Sequence, residues 1–187
     1  MSIALTLGLG ASFIWIAVLY WSDRQPTRRL WPPHQGHWFT ALWAWGLTIA
    51  IYVGLIRTAT SDWNALGLPV WLRWGLGGGI STLGSIIQTQ GIAAIGLRGT
   101  SGWTERLVAS GVHARWRHPQ YLGQIATLIG IALFAGTISG WLVVVTGSFA
   151  LIYAARVEDR FLAERYPAFS DYSARVGWTP FTIGSRE

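Results

Sequence analysis

The sequence predicts an all-α integral membrane protein with five transmembrane helices, of which the last two form a tight hairpin, and a cytoplasmic helical tail. Three observations support this fold class. Of the 187 residues, 51% are hydrophobic and only 12% are charged, whereas about a quarter are charged in a soluble domain. Four long stretches carry no charge, and the arginines gather on one side of them. We expect a single domain over residues 1–187.

The uncharged stretches set the positions of the spans. They cover residues 1–22, 30–56, 74–97 and 119–155. A crossing needs about 20 apolar residues, so the first three hold one span each, near 2–21, 38–56 and 70–96. The fourth would be roughly 55 Å long as one helix, against a hydrocarbon core of about 30 Å. We therefore expect it to fold back at 136–140, giving spans near 119–136 and 139–156 and a tail over 157–187.

The basic residues indicate the orientation. All 14 are arginine, and the formal net charge is +6. Twelve lie in segments 22–37 and 97–118 and in the tail, whereas only Arg57 and Arg73 lie on the opposite side. The positive-inside rule then predicts an outside N-terminus and a cytoplasmic C-terminus. Because the arginines separate apolar runs, they indicate a membrane and not nucleic acid as the partner. The sequence is silent on oligomeric state.

Several kinds of site are excluded or weakly indicated. Cysteine is absent, which excludes disulfides, thiolate catalysis and cysteine-based metal sites. His34 and His37 form an H-x-x-H pair without a third ligand, so we interpret them as loop residues and predict no metal site.

Polar residues concentrate in segments 111–123 and 156–162. The predicted hairpin returns the chain to one membrane face, so these two clusters should lie together on the cytoplasmic side. Pro119 suits the first turn of a helix, whose unpaired N–H groups could bind an anion or a polar cofactor edge. Gly123 would let a flat group approach the backbone. An ordinary interfacial helix start, with Arg117 snorkelling and Tyr121 in an aromatic belt, is the alternative.

Glu158 is the strongest single candidate. Its neighbours three and four residues away on a helix are all apolar: Ala154, Ala155, Phe161 and Leu162. A carboxylate on an apolar stripe at a membrane edge needs a cationic partner from elsewhere. We therefore expect a functional role for Glu158, the alternative being a structural ion pair with Arg115 or Arg117.

Two other polar positions have simpler explanations. Asp159 has Arg156 three residues earlier, which favours a surface ion pair, so Glu158→Gln should impair cofactor binding more than Asp159→Asn. Gln88 and Gln90 are amides within the third span. Interhelical hydrogen bonding explains both, although Gln90 is also a candidate cofactor contact.

The segment 111–123, with its R-H-P-Q-Y-L-G core, resembles the signature of the small membrane methyltransferases, which include relatives of isoprenylcysteine carboxyl methyltransferase and phospholipid N-methyltransferase. The second signature of these enzymes is an acidic pair after the last span, followed by a leucine and an aromatic-rich tail. The corresponding residues are Arg156, Glu158, Asp159, Leu162, Tyr166, Phe169, Tyr172 and Pro180. The resemblance covers about residues 81–181.

The resemblance implies S-adenosylmethionine-dependent methyl transfer at the membrane surface. It implies that Glu158 holds the amino group of the cofactor, faces its sulfonium or acts as the base for an amine acceptor. Arg117 would orient an anionic group of the cofactor or acceptor, which makes Glu158 and Arg117 the candidate catalytic residues. The implied cofactor-binding set is His118, Pro119, Gln120, Tyr121, Leu122, Gly123, Glu158 and Asp159, to which we add Gln90.

The acceptor is less closely specified. Segment 97–102 is more similar to the phospholipid branch, so a phospholipid amine ranks first, an isoprenylcysteine-type carboxylate second, and a small thiol or amphiphile third. An NADPH-dependent sterol reductase-like protein is an alternative of another class, but Glu158 and Asp159 would repel a 2′-phosphate. A non-enzymatic membrane adaptor is the other, for which substitution of Glu158 would leave function intact.

Overall fold

The computed structural model describes residues 2–103 and 106–178, and within these ranges every regular element is helical. The all-helical prediction is therefore confirmed. A π-helical segment, Trp71–Gly77, leads directly into the third α-helix. The α-helices are α1 (Ile3–Arg24), α2 (Trp38–Ser61), α3 (Gly78–Thr100), α4 (Pro119–Ala135), α5 (Ile138–Arg165) and α6 (Phe169–Arg175).

Four helical segments are long and apolar enough to cross a membrane, namely α1, α2, the segment Trp71–Thr100 and α5. The apolar helix α4 is shorter, with 17 residues. A helix of that length spans roughly 25 Å, slightly less than a hydrocarbon core of about 30 Å. The described residues thus contain four helices that meet the length criterion, and the five crossings stay a prediction.

The chain turns at the position that the sequence predicts. α4 ends at Ala135, Gly136 adopts the left-handed conformation with φ 64°, and α5 begins at Ile138. Thr137 caps α5, because its Oγ1 accepts a hydrogen bond from Gly140 N at 3.0 Å. So short a connection places α4 beside α5, and the two helices contact each other.

The helix that contains the fifth predicted span is longer than predicted. It continues past residue 156 to Arg165, because the intervening residues include neither glycine nor proline. Pro167 explains where it ends, since proline disfavours helical backbone in the residue before it, and Tyr166 is extended (φ −126°, ψ 108°). Glu158 and Asp159 therefore belong to a rigid helix and not to a separate tail.

α3 and α4 pack backbone against backbone at their glycines. A Cβ added to Gly84 would lie 2.6 Å from Thr127 N, and one added to Gly123 would lie 2.4 Å from Gln88 N. Both distances are far shorter than a van der Waals contact. Small residues allow such close approach between membrane helices, so these glycines set the distance between α3 and α4.

We predict that Gly84→Ala destabilises the protein by about 1–3 kcal/mol, because the new methyl group would overlap the backbone of α4. Gly79→Ala on the same helix is the matched control, since a Cβ there has nothing within 4 Å and alanine favours a helix more than glycine does. Thermal unfolding in detergent measures both. Equal stability of the two variants would contradict the close packing.

Candidate active site

The two predicted polar clusters meet at one place. His118, the residue before α4, lies between the two carboxylates of α5. Its Nε2 is 2.7 Å from Asp159 Oδ1, and its Nδ1 is 3.5 Å from Glu158 Oε2. All three residues line a cavity of about 640 Å³, a volume in the range of small-molecule sites. The predicted proximity of the clusters is confirmed.

Glu158 is surrounded by hydrogen-bond donors. Trp31 Nε1 donates to Glu158 Oε1 at 2.9 Å, and the Tyr121 hydroxyl donates to the same oxygen. His118 faces the other oxygen, and only 16% of the Glu158 side chain is exposed. A charge so enclosed requires polar partners. The partners of Glu158 thus come from elsewhere in the chain, but the two arginines considered as its cationic partners, Arg115 and Arg117, are not among them.

The interpretation of Asp159 as one half of a surface ion pair with Arg156 is wrong. Its Oδ1 contacts His118, and its Oδ2 lies 3.5 Å from the guanidinium of Arg117. The carboxylate points toward the start of α4, where the other cations lie. Asp159 is therefore part of the same cluster as Glu158, and the expected difference between substitutions at the two positions loses its basis.

Arg117 connects the cluster to the end of the described chain. Besides Asp159, its guanidinium contacts the carbonyl oxygen of Ser173 at 3.4 Å, and its backbone N–H donates to Gly177 O at 3.2 Å. Tyr172 reinforces this closure, because its hydroxyl donates to the carbonyl oxygen of His113 at 2.7 Å. Arg117 lines the cavity, but its charge already has protein partners.

Only part of the predicted cofactor-binding segment, residues 118–123, lines the cavity. His118, Gln120 and Tyr121 line the cavity, whereas Pro119, Leu122 and Gly123 do not. Pro119 starts α4 as predicted. The close approach at Gly123 is to the backbone of α3 and not to a ligand.

Of the two amides on α3, Gln88 and not Gln90 lies at the cavity. Gln88 lines the cavity and accepts a hydrogen bond from the Tyr52 hydroxyl at 3.3 Å. Gln90 is exposed on another face of the helix, among residues 81–90, and does not reach the cavity. The structure thus does not bring Gln90 to the predicted cofactor site.

Trp31 and Gln124 are among the polar residues of the cavity wall that sequence reasoning missed. Trp31 comes from the connection between α1 and α2, where nothing in the sequence distinguishes it from the other tryptophans. Gln124 is buried and lies one helical turn after Gln120 on α4, a spacing that could have identified it. Pro180, part of the predicted tail signature, lies outside the described residues.

The two loop histidines of the H-x-x-H pair do not meet a third ligand. His34 Nε2 lies 2.7 Å from the carbonyl oxygen of Pro26, and His37 caps α2 by accepting a hydrogen bond from Phe39 N. Over residues 2–103 and 106–178, no group of three or more His, Cys, Asp or Glu side chains is arranged to hold a metal ion.

His113 gives the site a pH-dependent stability. Burial, and secondarily the charge of nearby His118, lowers the pKa of His113 to about 4. The unfolded chain, with a His pKa near 6.5, binds more protons than the folded protein between these values. Stability therefore rises with pH across this window and is lost as the pH falls from about 6.5 toward 4.

We predict a lower midpoint of thermal unfolding at pH 5 than at pH 7, with a smaller difference in His113→Gln, because that variant cannot be protonated there. The control is His37→Gln, which removes an exposed histidine and should keep the difference seen in the unaltered protein. An unchanged difference in His113→Gln would show that other groups cause the acid sensitivity.

Comparison with known proteins places these residues in a family. Residues 72–168, slightly more than half of the chain, match the sequence model of the phospholipid methyltransferase family. The matched range contains His118, Glu158 and Asp159 but not Trp31.

Two curated relatives are similar over much of the chain. The cobalt-zinc-cadmium resistance protein CzcN of Cupriavidus metallidurans is 29% identical over 135 residues, and the nickel-cobalt-cadmium resistance protein NccN of Alcaligenes xylosoxydans is 26% identical over 134. Each alignment covers 71% of this chain but only 59% and 60% of the two relatives, so the chain spans about three fifths of their length. No solved structure matches the chain. From the match over residues 72–168, we conclude that the chain belongs to the phospholipid methyltransferase family.

Proposed function

We propose that this protein transfers a methyl group from S-adenosylmethionine to a lipid-like acceptor in the bilayer, and that the acceptor is a phospholipid amine. The observation that carries the proposal is the cluster of Glu158, His118 and Asp159 in the wall of a mostly apolar cavity. Helices long enough to cross a membrane surround that cavity. Such a site combines charges for a water-soluble cofactor with apolar walls for a lipid.

The residues around the cluster fit the cofactor, which when bound supplies a methyl group on a positively charged sulfonium. Glu158 and Asp159 provide negative charge for its cationic groups. Gln120 Oε1 is buried without a hydrogen-bond partner, so it can accept one from a ligand. The rings of His118 and Tyr121 stack on each other with their centroids 5.7 Å apart, which orients both side chains beside Glu158.

Glu158 is better suited to hold a cation than to remove a proton. Its Oε1 already accepts hydrogen bonds from Trp31 and Tyr121, so that oxygen is not available to take a proton from an acceptor. We therefore assign to Glu158 the binding and alignment of the cofactor rather than the role of base. Alignment of the reacting atoms is the main demand of a methyl transfer.

The cavity wall favours a lipid acceptor with an amine. Apolar side chains from three helices, Trp45, Ile92 and Leu151, line it and suit a lipid chain. Arg98 and Arg106 also lie in the wall, and arginine suits a phosphate. Arg117 was the sequence-based candidate for orienting a carboxylate acceptor, but its guanidinium already contacts Asp159 and the Ser173 carbonyl.

We further propose five membrane crossings, with the N-terminus outside and the site on the cytoplasmic face. The distribution of arginines supports this orientation. Arg73, one of the two exceptions, is buried. Its Nε donates to Phe134 O at 3.0 Å, and its guanidinium lies 4.1 Å from the ring centre of Trp63. It therefore acts in helix packing, so the exception does not weaken the orientation argument.

Reporter fusions test this topology. A reporter inserted at residue 138 should map to the outside of the membrane, and one fused after residue 187 should map to the cytoplasm. The two differ because α4 and α5 would cross in opposite directions. Any other pattern would contradict the five-span arrangement.

Methyl-labelled S-adenosylmethionine, incubated with protein-containing membranes and a phospholipid extract, tests the reaction. We expect label in a phospholipid amine. Label only on a prenylated peptide carboxylate would overturn the acceptor class. Calorimetry that detects binding of NADPH but not of S-adenosylhomocysteine would overturn methyl transfer itself.

We predict that Glu158→Gln weakens binding of S-adenosylhomocysteine by about ten- to hundredfold, because a charged hydrogen-bond partner contributes about 1.5–3 kcal/mol. Asp171→Asn is the matched control. It removes a carboxylate from the exposed face of α6 and should leave binding unchanged. Equal losses in both variants would indicate a general effect of charge.

A further inference from the structure

We infer that Trp31 is a positioning residue, whose indole N–H fixes the Glu158 carboxylate for cofactor binding, a role that rests on the function proposed above. Trp31 lies between α1 and α2, outside the residues 72–168 that match the family. Its Nε1 donates to Glu158 Oε1 at 2.9 Å, and Trp31 is 3% exposed. A segment outside the matched range thus contacts the central carboxylate of the site directly.

The backbone around Trp31 is attached to two helices. Ser22 Oγ, on α1, accepts hydrogen bonds from Leu30 N at 3.2 Å and from Trp31 N at 3.0 Å. Arg29 donates to both carboxylate oxygens of Glu164 at 3.2 and 3.1 Å. Glu164 lies on α5, the helix that carries Glu158. The position of Trp31 is therefore fixed relative to the residue that it contacts.

The ring of Trp31 is also fixed in its orientation. Its centroid lies 5.3 Å from that of Trp15 and 6.1 Å from that of Trp43, with interplanar angles of 80° and 76°. Edge-to-face packing of this kind is the favoured arrangement of aromatic rings. Rotation of the indole would disrupt both contacts, so the N–H keeps its direction toward α5.

The two donors on Glu158 Oε1 determine which groups the other carboxylate oxygen, Oε2, can contact. Because Trp31 and Tyr121 both occupy Oε1, Oε2 is left to face His118 at 3.5 Å and a cationic group in the cavity. Loss of the indole donor would leave Tyr121 alone to hold the carboxylate. The carboxylate would then rotate more easily, and cofactor binding would weaken.

A double-mutant cycle tests whether Trp31 acts through Glu158. The readout is calorimetric binding of S-adenosylhomocysteine to the full chain in detergent. Trp31→Phe keeps an aromatic ring but removes the N–H, and we expect about tenfold weaker binding. In a Glu158→Gln background the same substitution should cause little further loss. Trp21→Phe is the control, because its indole donates to the Arg28 carbonyl outside the cavity, and it should bind normally.

The outcomes separate this inference from the proposed function. If the unaltered protein binds S-adenosylhomocysteine but Trp31→Phe binds equally well, only the role of Trp31 is overturned. Additive losses in the double variant would also overturn it, because a packing effect does not depend on Glu158. No binding by the unaltered protein would overturn the proposed function and, with it, this role.

A second variant covers the case in which Trp31→Phe does not fold. Ser22→Ala removes the acceptor that holds the backbone at Trp31 but replaces no residue of the cavity wall. We expect severalfold weaker binding, again without further loss in the Glu158→Gln background. Unchanged binding in Ser22→Ala would then overturn the role of Trp31.

Discussion

The enclosure of a carboxylate is the constraint on which the arrangement of this site depends. A buried charge is costly unless polar groups surround it, and α5 alone offers Glu158 only apolar neighbours. Its polar partners come from elsewhere: Trp31 from the connection between α1 and α2, and His118 and Tyr121 from the start of α4. Three separate parts of the chain must therefore be correctly placed relative to one another before Glu158 is stabilised. The fold and the site thus depend on each other.

Helix packing fixes these relative positions. α4 is fixed on one side by its short connection to α5 and on the other by its contact with α3. A Cβ added to Gly91 would lie 2.7 Å from Gln120 N, so α3 presses on the backbone of a residue that lines the cavity. The same close contact recurs at Gly84 and Gly123. By setting the distance between α3 and α4, these glycines thus determine the positions of His118 and Tyr121 relative to α5.

The sequence predicted features that depend on hydrophobicity and segment length. It did not predict features that depend on how each helix is rotated about its axis. Hydrophobicity, and the length that one crossing allows, predicted the turn near 136–140 and the meeting of His118 with Glu158. They did not predict which face of α3 meets α4. Gln88 shares that face with Gly84, and Gln90 does not, so choosing between the two amides required the packed structure. The partner of Asp159 was missed for the same reason, and Trp31 was missed because a loop has no periodicity from which its direction can be predicted.

Both the matched and the unmatched parts of the chain contribute to the cavity wall. The cluster that suits the cofactor, except for the Trp31 donor, lies within residues 72–168. The first two helices, outside that range, contribute Trp15, Ala44 and Trp45 to the wall. A methyl transfer needs the same cofactor geometry whatever the acceptor is, whereas the acceptor must fit the remaining wall. Trp31 therefore connects the first two helices, which lie outside the matched residues, to the carboxylate that we propose binds the cofactor.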